Sequence, residues 1–216
     1  MAGAMIKRIL RAFNLEMIRI RPGDFEPAEK LGIDSSKLGI RELSMVRAIE
    51  ANGHIALDEA QFLSSLIHRT SPQDPIVEIG TLFGYSTLVM CMAKPAGQKI
   101  ITVDNFAWNP LSISPQAHEA LTRALLSDGC KNHSAEIVKK DKDLFYKDYQ
   151  GPAPGLFFCD ADHSYEATLR DLTWARSVGT KIICGHDYDA EKHPGVVRAV
   201  KEVGGAKEIV GTLFLL

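Results

Sequence analysis

Two short stretches carry side chains able to hold a cation or move a proton. Asp160-Ala161-Asp162-His163 follows one apolar run, residues 156–159, and His186-Asp187 follows another, residues 181–184. Carboxylates with waters suit Mg²⁺, whereas an imidazole shifts the preference toward Mn²⁺, Fe²⁺ or Zn²⁺. If the two runs are neighbouring strands, these oxygen and nitrogen ligands converge on one place. A dication there would lower the pKa of an alcohol or phenol and direct its attack. Asp162 or His163 would then take the proton, His163 being suited by an ordinary pKa near 6.5. A plainer alternative stays open: Asp160 and Asp187 cap helices, and His163 and His186 are hydrogen-bonded rings holding no metal.

A second constellation points to a nucleoside-type ligand. Glu78 is followed by two glycines four positions apart, Gly80 and Gly84, and then by an apolar helical run through residue 93. Further on, the run 100–103 ends in Asp104. Glycines at a strand-to-helix turn let backbone approach a ligand closely, and an acid ending the next strand accepts bonds from a ribose diol. No glycine stands two positions after Gly80, so the tight pyrophosphate turn of G-x-G-x-x-G is missing, which counts against NAD. Capping alone would also account for Glu78 and Asp104. Phe106 and Trp108 beside Asp104 are placed either to flank a base or to pack on a helix.

The elements that must position these residues follow from short apolar runs alternating with amphipathic stretches. Strands are expected at 76–79, 99–103, 135–138, 156–159, 181–184, 208–210 and 212–215. Helices are expected at 85–93, 115–128, 142–149, 164–177 and 195–203, and two more at 42–51 and from Asp58 onward. Strands alternating with helices argue for right-handed crossovers and a mostly parallel α/β sheet covered on both faces. Glu78, Asp104, Asp141, Asp160 and Asp187 all fall at or just past strand ends, where ligands gather in such sheets. Residues 1–40, broken by Arg21-Pro22-Gly23-Asp24, read as a loop-rich arm.

Glu78-x-Gly80-x-x-x-Gly84-x-Ser86 with Asp104, then Phe158-Cys159-Asp160-Ala161-Asp162-His163-Ser164-Tyr165, then Ile183-Cys184-Gly185-His186-Asp187-Tyr188, form an ordered set. The set resembles the motifs of class I S-adenosylmethionine (SAM)-dependent methyltransferases. It is most similar to the small-molecule O-methyltransferases grouped with macrocin O-methyltransferases and cephalosporin-hydroxylase-like proteins. The resemblance spans residues 70 to 205. It implies a Rossmann-like class I methyltransferase sandwich, with a mostly parallel seven-stranded sheet, an antiparallel edge strand and helices on both faces. It implies residues 71–216 as the methyltransferase domain, with 1–70 an N-terminal arm and helices packing on the core. Glu78, Gly80, Gly84, Ser86, Asp104, Asp141 and Asp160 are then the expected cofactor-binding set. The glycine backbone would face the methionine part, Asp104 the ribose, and Asp141 or the Lys142 amide the adenine edge. Related enzymes hold a divalent metal with acids at the positions of Asp160, His186 and Asp187. The histidine in the middle departs from that pattern, and Mg, Mn, Fe and Zn all stay open.

Composition limits the substrates. A formal net charge of −2 gives no electrostatic drive toward nucleic acid or an anionic membrane. There is no Asn-Pro-Pro-Tyr-like segment to hold a flipped base, and no apolar run reaches bilayer-spanning length. Cys91, Cys130, Cys159 and Cys184 show no C-x-x-C spacing and fit a reducing, cytoplasmic setting. The expected partner is a small hydroxylated molecule, and a homodimer is the prior for assembly. Two other functions remain: a non-catalytic SAM-binding protein, and a nicotinamide-dependent oxidoreductase using Tyr188 and Lys192.

Overall fold

Successive side chains of a strand point to opposite faces, so a continuous apolar run gives a strand two apolar faces, which helices must cover. The computed structural model describes residues 55–108 and 114–216. The expected arm at 1–40 and helix at 42–51 lie outside the described residues. Within them the chain forms α1 (Leu57–Ile67), β1 (Ile76–Ile79), α2 (Tyr85–Ala93), β2 (Ile100–Asp104), α3 (Pro115–Leu125), α4 (Ser127–Asn132) and β3 (Ala135–Lys139). There follow α5 (Lys142–Asp148), β4 (Leu156–Cys159), α6 (Tyr165–Ser177), β5 (Ile182–Gly185), α7 (Pro194–Glu202), β6 (Glu208–Val210) and β7 (Leu213–Leu215).

The seven strands form one sheet in the order β3-β2-β1-β4-β5-β7-β6. β1 through β5 run parallel, and β7 pairs antiparallel with both β5 and β6. The chain therefore moves outward from β1 to β3, then restarts on the other side of β1 with β4. That reversal opens a crevice beyond the carboxyl ends of β1 and β4. Register places Ile79 opposite Cys159 and Cys159 opposite Gly185, so the residues just past these three strands become neighbours. The conditional step in the sequence argument, that the strands preceding Asp160 and His186 are adjacent, is met.

Two cores result. Leu63, Leu66 and Ile67 of α1 and Met90 of α2 pack with Ile76, Ile100, Leu156, Phe158 and Cys184 on one face. Leu172 and Ala175 of α6, Val196 and Val200 of α7, and Phe145 of α5 pack with Val77, Ile79, Val103, Phe157 and Ile183 on the other. Truncating a fully buried side chain such as Leu66 typically costs about 2–5 kcal/mol. The two-residue alternation sorts Phe157 from Phe158. Among the described residues, no helix is long and apolar enough to cross a membrane.

One helix departs from expectation. The stretch 115–128 was expected to be continuous, but it breaks at Leu126 into α3 and α4. Leu126 is fully buried, and its side chain lies where a Cβ on Gly84 would be, with Cγ 2.6 Å from that position.

Candidate active site

The turn after β1 is held from every side. Gly80 takes φ +94°, and a Cβ there would lie 1.9 Å from the Asp160 carbonyl oxygen. Only glycine lets the end of β4 pass this close. Asp104 at the end of β2 accepts from the Thr81 and Leu82 amides, both at 2.9 Å on one oxygen, and from the Phe106 amide at 2.7 Å on the other. An ionised carboxylate offers about four acceptor positions, so one remains for a ligand hydroxyl. Leu82 sits in the left-handed region at φ 48°, and its carbonyl accepts from Thr122 Oγ1 at 2.6 Å, with His118 Nε2 at 3.0 Å.

Glu78 lies beneath this turn with no exposure. It accepts from the hydroxyls of Ser86 and Thr87, the latter at 2.5 Å, in the first turn of α2. Burial outweighs these bonds and pushes its pKa up to about 7. Asp141 is exposed and caps α5 through the Asp143 and Leu144 amides at 3.0 and 3.2 Å. Phe106 is fully buried and meets the His118 ring edge-on at 5.2 Å, whereas Trp108 is exposed. Of the two aromatics considered for a base, Phe106 therefore serves packing.

Beyond β4 and β5 a charged cluster forms. His163 Nε2 lies 3.0 Å from Asp187 and 3.5 Å from Asp160. His186 Nδ1 lies 3.5 Å from Asp187 and 3.9 Å from Asp160. His193 Nε2 is 3.6 Å from Asp187, and its ring meets that of His163 at 4.4 Å. Burial disfavours charge on the two inner rings, but the surrounding carboxylates prevail and hold His163 and His186 at about 10. Burial likewise opposes ionisation of Asp187, yet His163 and His186 hold it far below the usual carboxylate range. Asp187 takes φ 60°, a left-handed conformation of a kind that costs about 1–3 kcal/mol at a non-glycine residue.

Despite these short distances, His163 Nε2 and His186 Nδ1 are buried atoms without a hydrogen-bond partner. Proximity without alignment gives attraction but not a hydrogen bond. Two ligand sets are close enough to share an ion: Asp160, His186 and Asp187, and His163, Asp187 and His193, with ligand atoms in each set within 4.8 Å of one another. Orphaned nitrogens facing carboxylates are what a bound cation would complete, so the residues fit a divalent metal of borderline softness.

The candidates from sequence therefore fall into two groups. Glu78, Gly80, Gly84, Ser86 and Asp104 assemble the turn, while Asp160, His163, His186 and Asp187 assemble the cluster. Asp162 is exposed and accepts from the Ser164 amide at 2.9 Å, outside both ligand sets. His118 also braces the turn through the Leu82 carbonyl. His193 joins the cluster because α7 begins beside it. Glu59 on α1 was not singled out, although it lies 3.1 Å from His186 Nε2. Nothing local in the sequence marks it, since 127 residues separate the two.

Comparison with known proteins matches the geometry. A family model described as a methyltransferase domain matches residues 77–188, just over half of the chain. The fold is similar to that of cofactor-bound Rv0187 from MTB, at 16% identity and TM-score 0.62 over 92% of this chain and 96% of that one. It is also similar to an O-methyltransferase from Bacillus cereus in complex with SAH, at 17% identity and TM-score 0.61 over 87% and 94%. A putative O-methyltransferase from Klebsiella pneumoniae aligns at 21% identity and TM-score 0.60 over 98% and 93%. No curated protein matches the chain in sequence.

Proposed function

The chain belongs to this methyltransferase-domain family, and on that premise we propose that it moves the methyl group of SAM to a hydroxyl of a small molecule with the help of a divalent metal. One observation carries the proposal. Asp160 belongs to both halves of the site: its carbonyl closes on Gly80 of the donor turn, and its carboxylate faces the cluster that fits a cation. A methyl donor on the turn and an acceptor oxygen at the cluster would be held side by side, which supplies much of the acceleration for in-line transfer.

The residues divide the work. The backbone around Gly80 and Gly84 faces the methionine part of SAM, and Asp104 gives its remaining acceptor position to the ribose. Asp160, His186 and Asp187 would hold the metal, which when bound acidifies the acceptor hydroxyl. His163 stands beside that place and accepts the proton as the O–CH₃ bond forms and the S–CH₃ bond breaks. Its affinity for a proton is set by Asp160 and Asp187, so the ring acts as a base only when their charge is otherwise balanced. Family membership sets aside the nicotinamide alternative. Tyr188 and Lys192 moreover lie in the segment between β5 and α7, with no helix to align them.

The test is turnover of SAM over a panel of hydroxylated acceptors, with Mn²⁺, Mg²⁺ or a chelator. The expected result is methylation of at least one hydroxyl that chelation suppresses and metal restores. Turnover indifferent to chelation would remove the metal and leave the methyltransferase. SAM binding without turnover on any acceptor would favour the non-catalytic alternative.

A further inference from the structure

Hydrogen-bond accounting around His186 determines which ring nitrogen faces the cluster. Glu59, at the third position of α1, is buried. One carboxylate oxygen accepts from the Ala56 amide at 2.6 Å and lies 3.1 Å from His186 Nε2. The other accepts from the Thr212 amide at 2.6 Å and from the Thr212 hydroxyl at 3.0 Å. That hydroxyl also lies 3.0 Å from His186 Nε2. Its single proton goes to Glu59, so toward the ring it only accepts. A carboxylate with so many donors around it only accepts as well. Both neighbours of Nε2 are acceptors, and Nε2 must carry a hydrogen. In the neutral ring the lone pair then falls on Nδ1, the buried atom that faces Asp160 and Asp187 without a partner.

We infer that Glu59, with Thr212 as its companion, is a positioning residue that fixes the His186 tautomer and ring plane so that Nδ1 is presented to a cation. The inference rests on the metal proposed above. Metal-ligating histidines commonly give their second N–H to a carboxylate, which orients the ring and raises its basicity. Here that carboxylate comes from α1, and both Glu59 and Thr212 lie outside the segment 77–188 that defines the family match. The contact is built closely: a Cβ on Gly211 would lie 2.4 Å from a Glu59 carboxylate oxygen. The turn between β6 and β7 thus locks the carboxylate against His186.

The test is calorimetric titration of Mn²⁺ into the chelator-stripped full chain, with thermal melts on every variant. Glu59→Gln is expected to weaken Mn²⁺ binding by about 10–100-fold, the range seen when such outer partners are changed. Thr212→Val should weaken it less. Glu59→Gln should have no further effect once His186 is Asn, because coupled residues fail to add. Histidine ¹⁵N NMR of the Zn²⁺-loaded chain should show His186 protonated at Nε2 in the parent and altered in Glu59→Gln. A folded Glu59→Gln chain that binds Mn²⁺ like the parent would overturn the inference, as would an equal loss in the His186→Asn background. If Glu59→Gln does not fold, Thr212→Val decides by the same titration and spectrum, and no change in either contradicts the inference. A parent chain that binds no Mn²⁺ would remove the metal proposal itself, and this inference with it.

Discussion

The turn after β1 and the cluster beyond β4 and β5 sit side by side yet are built on opposite terms. In the turn, both carboxylates and the Leu82 carbonyl are bonded: Asp104 takes three amides, Glu78 takes two hydroxyls, and the Leu82 carbonyl has both His118 and Thr122, although the bracing His118 leaves its buried Nδ1 without a partner. In the cluster, charges crowd together, two ring nitrogens lack hydrogen bonds and Asp187 is strained. The difference shows two ways of preparing for a ligand. The turn holds its shape without one and offers an organic molecule its backbone and the open acceptor position of Asp104. The cluster is unfinished, and a cation would complete it. Glu59 and Thr212 form the satisfied side of that unfinished site.

Substitutions can break the contrast in graded ways. Asp187→Asn removes the carboxylate shared by both ligand sets. Mn²⁺ affinity and turnover should fall beyond the ~100-fold limit usual for outer-shell changes, with SAM binding retained. Metal and SAM titrations on one sample check this. Gly80→Ala attacks the turn instead. Its added carbon collides with Asp160 backbone, and its φ alone costs about 1–3 kcal/mol. SAM binding should disappear, with a lowered melting temperature. Asp104→Asn keeps the shape but gives up charge-assisted bonds worth about 1.5–3 kcal/mol each, and should weaken SAM about tenfold or more.

The two smaller effects concern stability. Glu78 has a folded pKa of about 7, above its ordinary 4.5. Folding therefore favours its neutral form. The contribution is complete below about pH 4.5 and is lost as pH rises through about 7, by on the order of 1 to 3 kcal/mol. Glu78→Gln should flatten that fall, as urea unfolding at pH 5 and pH 8 would show. Equal pH dependence in both chains would contradict the assignment. Thr122→Val removes one bond to the Leu82 carbonyl and should cost about 1 kcal/mol by the same unfolding measurement, leaving Mn²⁺ binding untouched.

Much of this was legible in the chain. Strands buried on both faces announce themselves by short apolar runs, and acids just past their ends mark the crevice side of a parallel sheet. Gly80 and Gly84 could be read because a left-handed turn leaves few other residues. What escaped depends on contacts distant in sequence. Glu59 meets Thr212 across 153 residues, and His118 meets Leu82 across 36. Each looks like an ordinary helix residue in its own surroundings. The break at Leu126 has no proline to mark it, and the Gly84 turn that Leu126 packs over is more than 40 residues away in sequence. Residue type alone left Phe106 open between flanking a base and packing, and its burial against His118 decides for packing.

The most direct test of the account is calorimetric titration of SAM into the chelator-treated chain and into Asp187→Asn. If the donor turn is complete without the cluster, both samples bind SAM saturably and with similar affinity, and Gly80→Ala does not. A folded parent chain that fails to bind SAM would contradict the central claim. So would binding that vanishes with Asp187, since the two regions would then not be the separable halves described.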